Sequence, residues 1–225
     1  VFSLSELPAC ARFCCVAVDG SYRSRLVRDI HKVPRLLGRV VDRRQREFYS
    51  GRWSALCAIE SLTGRKEAPD IADDRSPLWP LGLVGSISHT DDWALALVAE
   101  ADKANRIGID LESVDAVSKV HGLVELIASA YELGLLVKTV QTGLMTMNEL
   151  IALMFSAKES LFKALYPQVG VYFDYLDAEI VQVEAGYVEL RLLKALNNTF
   201  SKGDGFRIAF LFQDRHVLTW QIDLL

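Results

Sequence analysis

Apolar positions change period several times along this 225-residue chain, and each change predicts an element. The clearest run is Asn148 to Tyr166. Leu150, Leu153, Met154, Ala157, Leu161, Ala164 and Leu165 recur at the i, i+3, i+4, i+7 spacing of a helix that buries one face. Pro167 is expected to stop it. A second helix is predicted from Asp42 to Leu62, with Phe48, Leu56, Cys57 and Ile59 as its stripe and Thr63-Gly64 as its end. Period-two or short apolar runs predict strands at 14–18, 106–114, 177–193, 206–213 and 216–225. Residues 83–101 read as a hairpin around Thr90-Asp91-Asp92. The stretch 64–82, rich in Pro, Gly and Asp, reads as extended and turn-broken, and 117–142 as helix interrupted by Gly122, Gly134 and Gly143.

Strand and helix content therefore occurs twice, once before about residue 106 and once after, with no low-complexity linker between. Two lobes in contact, 1–106 and 107–225, fit that order. A composition of 51% hydrophobic and 24% charged residues excludes a disordered chain. The net charge of −4 gives no support to nucleic-acid binding as a property of the whole molecule. Arginine is nonetheless dense in VDRRQREFYSGR (41–52), where a local anion site could lie. No apolar run approaches the ~20 residues of a membrane span. The opening VFSLSELPACARFCCVAV lacks the basic start and sustained apolar core of a signal peptide. Cys10, Cys14, Cys15 and Cys57 show no metal-binding spacing and read as buried free thiols, so a cytoplasmic protein is expected.

Chemistry is concentrated in four places. On the long helix, FSAKESLFKALYP (155–167) puts Phe155, Glu159 and Lys163 on one side, with Lys158 on the flank. Glu159 and Lys163 could simply be a solvated i, i+4 ion pair. Phe155 and Phe162 on the same side argue that something covers it. In RIGIDLESV (106–114), strand alternation sets Asp110 and Glu112 on one face, where two carboxylates repel unless water or a hard cation intervenes. In VGSISHT (84–90), Ser88 and His89 offer a hydroxyl and an imidazole to an anion, although a hairpin histidine is often structural. No G-x-S-x-G elbow supports a hydrolase triad there. Arg44, Arg52 and Arg75 are solubilising charges or, as a group, guanidinium ligands for phosphate.

Together, RRQREFYSGRWSALCAIESL, RSPLWPLGLVGSISHT, IGIDLESV and FSAKESLFKALYP resemble the 4′-phosphopantetheinyl transferase superfamily, in particular its two-lobed, monomeric type. The resemblance covers about residues 43 to 167. It implies an α+β fold built as a pseudo-twofold pair of similar lobes, each a small three-stranded antiparallel sheet packed on a long helix, with coenzyme A between the lobes. It implies metal ligation (Mg²⁺ or Mn²⁺) by Asp110, Glu112 and Glu159, and catalytic and coenzyme-binding roles for Lys158 and Lys163, which would stabilise charge on the phosphoryl oxygens. By the same resemblance Ser88, His89, Arg44, Arg52 and Arg75 contact coenzyme A. Where many two-lobed members carry Trp, this chain has Phe155. The activity implied is transfer of the phosphopantetheine arm to a serine of an apo acyl or peptidyl carrier protein. That serine needs a base within hydrogen-bond reach, and Glu159, directly or through a metal-bound water, is the expected one. Two other readings use the same residues: a metal-dependent phosphohydrolase of a nucleotide pyrophosphate, and a non-catalytic module that binds a carrier protein or coenzyme A.

Overall fold

The computed structural model describes residues 2–4, 7–29 and 41–225. The chain forms two compact units. One runs to Ile109 and takes back Ile222–Leu225; the other is Asp110–Gln221. The last residues return to the first unit because Leu225 donates its N–H to the Lys103 carbonyl and Asp223 pairs with Arg106.

In the first unit, β1 (Ala11–Ala17) leads through α1 (Tyr22–Asp29) to α2 (Asp42–Thr63). Gly64 ends α2 in the left-handed region, φ 73°, its N–H bonded to the Glu60 carbonyl. A short ribbon, β2 (Asp70–Ile71) and β3 (Pro77–Leu78), occupies the turn-broken segment. β4 (Leu83–His89) and β5 (Trp93–Glu100) form the expected hairpin, closed by Thr90, whose N–H meets the Trp93 carbonyl at 2.8 Å. The sheet order is β1-β5-β4, so β5 is central and is buried from Ala94 to Ala99. Val98 and Leu83 pack with Ala58 and Ile59 of α2. All four cysteines are free but half-buried rather than buried, since Cys14 and Cys15 lie on an edge strand. The helix α1 carries no motif that the periodicity singled out.

β6 (Ala104–Ser113) carries the chain into the second unit. Three short helices follow, α3 (Val114–Val117), α4 (Leu123–Ile127) and α5 (Ala130–Gln141), then α6 (Met147–Val169). Gly122 is the left-handed N-cap of α4, whereas Gly134 sits inside α5 without breaking it. The chain does not stop at Pro167 either. That residue lies in the last turn of α6, where it forfeits a single ladder bond, and Gly170 ends the helix instead. Strands β7 (Ala178–Glu184), β8 (Tyr187–Leu192), β9 (Gly205–Gln213) and β10 (His216–Leu224) join β6 in the order β6-β10-β9-β8-β7. This sheet has five strands rather than three, because 177–193 folds back at Gly186 into two strands and β6 pairs with β10.

The apolar spine of α6 packs on Val188, Leu190, Ile208 and Val217. A second side is buried by hydroxyls. Ser156 and Ser160 share hydrogen bonds of 2.7–3.0 Å with Thr219 of β10. A third anchor is ionic. Lys158, 3% exposed, donates to the Ile127 carbonyl (2.6 Å), the Tyr175 carbonyl (3.0 Å) and the Glu132 carboxylate (2.9 Å). Glu132, fully buried, also accepts from Ser129 N–H and Ile180 N–H at 2.7 Å each. Lys158, for which the resemblance implies a catalytic and coenzyme-binding role, thus donates to three groups inside the protein.

Two outcomes follow for stability. An added Cβ at Gly85 would stand 2.7 Å from the Leu97 carbonyl and 2.8 Å from the Trp79 ring. Gly85→Ala should therefore cost about 1–3 kcal/mol by overpacking, read from the urea midpoint. Lys158→Met strands the Glu132 charge in the interior, which should cost about 3–5 kcal/mol. An unchanged guanidinium midpoint in that variant would argue against this structural duty of Lys158.

Candidate active site

Within the second unit, β6 and α6 bring three carboxylates and one ammonium together. Asp110, 2% exposed, accepts from Lys163 Nζ at 2.6 Å. Glu112, two residues on, projects from the same strand face. Burial, then the charge of Asp110, push its carboxyl up to about 8, with Glu159 adding and Lys163 opposing. On Lys163 burial is the largest effect and acts downward. It is outweighed by Asp110, Glu159 and Glu112, so the ammonium is held above its ordinary value. Mutual influence of this kind places the four groups within electrostatic reach of one another, with Asp110 buried and the other three half-buried. The exposed-face reading of Asp110 and Glu112 thus fails for Asp110, and so does the solvated-pair reading of Glu159 and Lys163.

Glu159 is tied differently. Its carboxylate accepts a short hydrogen bond from the Tyr175 hydroxyl. Burial, then that bond, raise the phenol's pKa, so Tyr175 keeps its proton and acts as donor. Tyr175 lies in a 3₁₀ turn, Tyr175–Asp177, and its ring centroid is 5.5 Å from that of Phe155. Phe162 packs on Phe173 and Tyr172 at 5.0 and 5.3 Å. A cleft of about 300 Å³ opens beside Glu159, lined by Phe162, Tyr172, Phe173 and Tyr175. Phe155 and Phe162 are therefore covered by aromatic neighbours, as their place on the polar side required.

Among the described residues, no three His, Cys, Asp or Glu side chains stand close enough to hold a metal ion by themselves. The donor chemistry nevertheless suits Mg²⁺, which takes one or two carboxylates and completes its shell with water and phosphate oxygens. A divalent cation would also favour the charged form of Glu112, against the burial and the Asp110 charge that raise it.

The other candidates belong to the first unit. Glu47, 6% exposed, meets Arg43 Nε at 2.8 Å, Arg44 Nη1 at 3.7 Å and His89 Nδ1 at 4.0 Å. Arg44 and His89 thus converge on one buried acid that the sequence reading missed. Ser88, beside His89 on β4, is buried. Arg52 is 5% exposed. It lies over the Phe48 ring at 4.7 Å, donates to the Asp70 carbonyl at 3.2 Å and leaves its Nε without an acceptor. Burial draws its pKa down to about 10, with Asp70 opposing. Arg75 stands apart, exposed in the turn between β2 and β3 with φ 71°.

Residues 33–99 match the family described as the 4′-phosphopantetheinyl transferase N-terminal domain, and 106–219 match the 4′-phosphopantetheinyl transferase superfamily. Enterobactin synthase component D of Salmonella typhimurium is 32% identical over 177 residues, covering 79% of this chain and 71% of that protein. The 4′-phosphopantetheinyl transferase Svp of Streptomyces mobaraensis is 35% identical over 70% of this chain and 63% of its own. The 4′-phosphopantetheinyl transferase PptT of Mycobacterium tuberculosis is 31% identical over 64% and 61%. The chain therefore spans between about three-fifths and seven-tenths of these relatives. With its α+β units and the acidic cluster of β6 and α6, the chain belongs to the 4′-phosphopantetheinyl transferase superfamily.

Proposed function

We propose that the chain transfers the 4′-phosphopantetheine arm of coenzyme A to a serine of an apo acyl or peptidyl carrier protein, using Asp110, Glu112, Glu159 and Lys163. The observation that carries this reading is the buried group in which Lys163 sits on Asp110 at 2.6 Å, with Glu112 and Glu159 beside them. The serine Oγ attacks the β-phosphorus, the bond to the α-phosphate oxygen breaks, and 3′,5′-ADP leaves. The serine's proton passes to Glu159, which lines the cleft. Lys163 stabilises charge that develops on the phosphoryl oxygens, which in a poorly hydrated site is worth more than in water. Bound Mg²⁺ or Mn²⁺ would be held by Asp110, Glu112 and Glu159 and would neutralise the pyrophosphate.

In the first unit, Arg44, Arg52, Ser88 and His89 are assigned to the nucleotide end of coenzyme A. The buried Nε of Arg52, lacking an acceptor, supports a polar ligand near it. Arg75 is assigned there on its motif alone. Leu133 and Val137, four apart on α5, remain exposed and offer apolar area to a carrier protein. No helix among the described residues is long and apolar enough to cross a membrane.

The test is a loading assay with Mg²⁺, coenzyme A and a panel of apo carrier proteins. Mass spectrometry should show a gain of one phosphopantetheine, with 3′,5′-ADP released in equal amount. Glu159→Gln should lower the rate about 10²–10⁴-fold while the thermal midpoint holds. Chelation of the divalent cation should abolish loading, and added Mg²⁺ should restore it. Release of 3′,5′-ADP without a carrier would favour the phosphohydrolase, and binding without turnover the non-catalytic module.

A further inference from the structure

Lys158 and Glu159 are neighbours on α6, and both bind the same residue. Lys158 Nζ donates to the backbone carbonyl of Tyr175 at 3.0 Å, while Glu159 accepts from the hydroxyl of that tyrosine. The two ends of Tyr175 are thus held by consecutive residues of one helical turn. Its ring is fixed as well, against Phe155. The turn that carries it is closed by the Asp177 carboxylate on Asp174 N–H at 2.6 Å. A side chain held at backbone, ring and hydroxyl has few rotamers left, so the direction of its O–H is set before any ligand arrives.

We infer that Tyr175 is a positioning residue for Glu159: its hydroxyl fixes one carboxylate oxygen so that the other faces Asp110 and Glu112. The geometry provides what a carboxylate ligand needs. A flexible glutamate pays rotamer entropy each time it binds a cation or accepts a proton, and a hydrogen bond to its second oxygen removes that cost in advance. Lys158 supports this arrangement from the interior, which gives the first lysine of the K-E-S-L-F-K stretch a task other than touching phosphate. The inference rests on the proposed role of Glu159, so its test must separate the two.

The test uses Mn²⁺ alone as probe, titrated by electron paramagnetic resonance into wild-type protein, Tyr175→Phe and Glu159→Gln. Tyr175→Phe keeps the ring and removes only the hydroxyl. It should weaken Mn²⁺ binding about 10-fold and lower kcat for carrier loading by a similar factor, with KM for coenzyme A and the thermal midpoint little changed. Mn²⁺ affinity and kcat both within twofold of wild type would overturn the inference. So would tighter Mn²⁺ binding, which would make the hydroxyl a competitor for Glu159 and not its support. A rise in KM for coenzyme A at constant kcat would overturn it too, leaving Tyr175 as a lining contact. If Glu159→Gln binds Mn²⁺ weakly while Tyr175→Phe binds as wild type, this inference alone fails. If Glu159→Gln and wild type bind alike, or neither binds, the proposed role of Glu159 fails and takes this inference with it.

Discussion

Neither Glu132 nor Lys158 could remain charged in the interior without the other, and most of the second unit is arranged around that fact. A carboxylate and an ammonium removed from water cost several kcal/mol each unless every donor and acceptor is met. Here they are met by four different pieces of chain: the end of α4 through Ile127, the cap of α5 through Ser129, the start of β7 through Ile180, and the 3₁₀ turn through Tyr175. The pair is a weak source of net stability and a strong source of specificity. Any other placement of those four segments leaves a buried charge with fewer partners.

The helix α6 inherits its orientation from this anchor. It is buried on its leucine spine by the sheet, through Ser156 and Ser160 by Thr219, and at Lys158 by Glu132. The remaining side carries Glu159 and Lys163 toward Asp110 and Glu112. A helix fixed on three sides can hold like charges together on the fourth, because rotation about its own axis would break one of the anchors. The raised carboxyl of Glu112 is the mark of that confinement: burial first, and then the charge of Asp110, favour its protonated form.

Much of this was legible in the amino-acid order, and the parts that were not have physical causes. Period-3.6 patterns and short apolar runs found α2, α6 and the hairpin because each is long enough for its apolar positions to repeat. The two helices α3 and α4 were blurred, since segments of four and five residues are too brief for a period to show. Asp110 and Glu112 were recognisable as a pair from strand alternation. The burial of Asp110 was not, because alternation alone reads the charged face as wet. The structural duty of Lys158 was hidden for a related reason: a lysine beside a glutamate on a helix gives no sign that a further partner lies 26 residues upstream. Glu132 did leave a signal, the Ser129-x-x-Glu132 capping box, which marks a helix start and says nothing of a second, ionic duty. Tyr175 left none, as it stands in a turn outside any periodic run.

The grip on Tyr175 also limits how the chain can vary. Lys158 and Glu159 are fixed on α6, and Tyr175 follows after the remainder of the helix and a bridge of five residues, Gly170–Asp174. At Val171, which is exposed, the bridge can change its side chain while both bonds persist. Its length cannot: one residue more or fewer would carry Tyr175 past either the ammonium or the carboxylate. Among homologous chains that keep this tyrosine, the bridge should tolerate substitution and resist insertion, so a surface loop is held to a fixed count by chemistry that takes place on the helix before it.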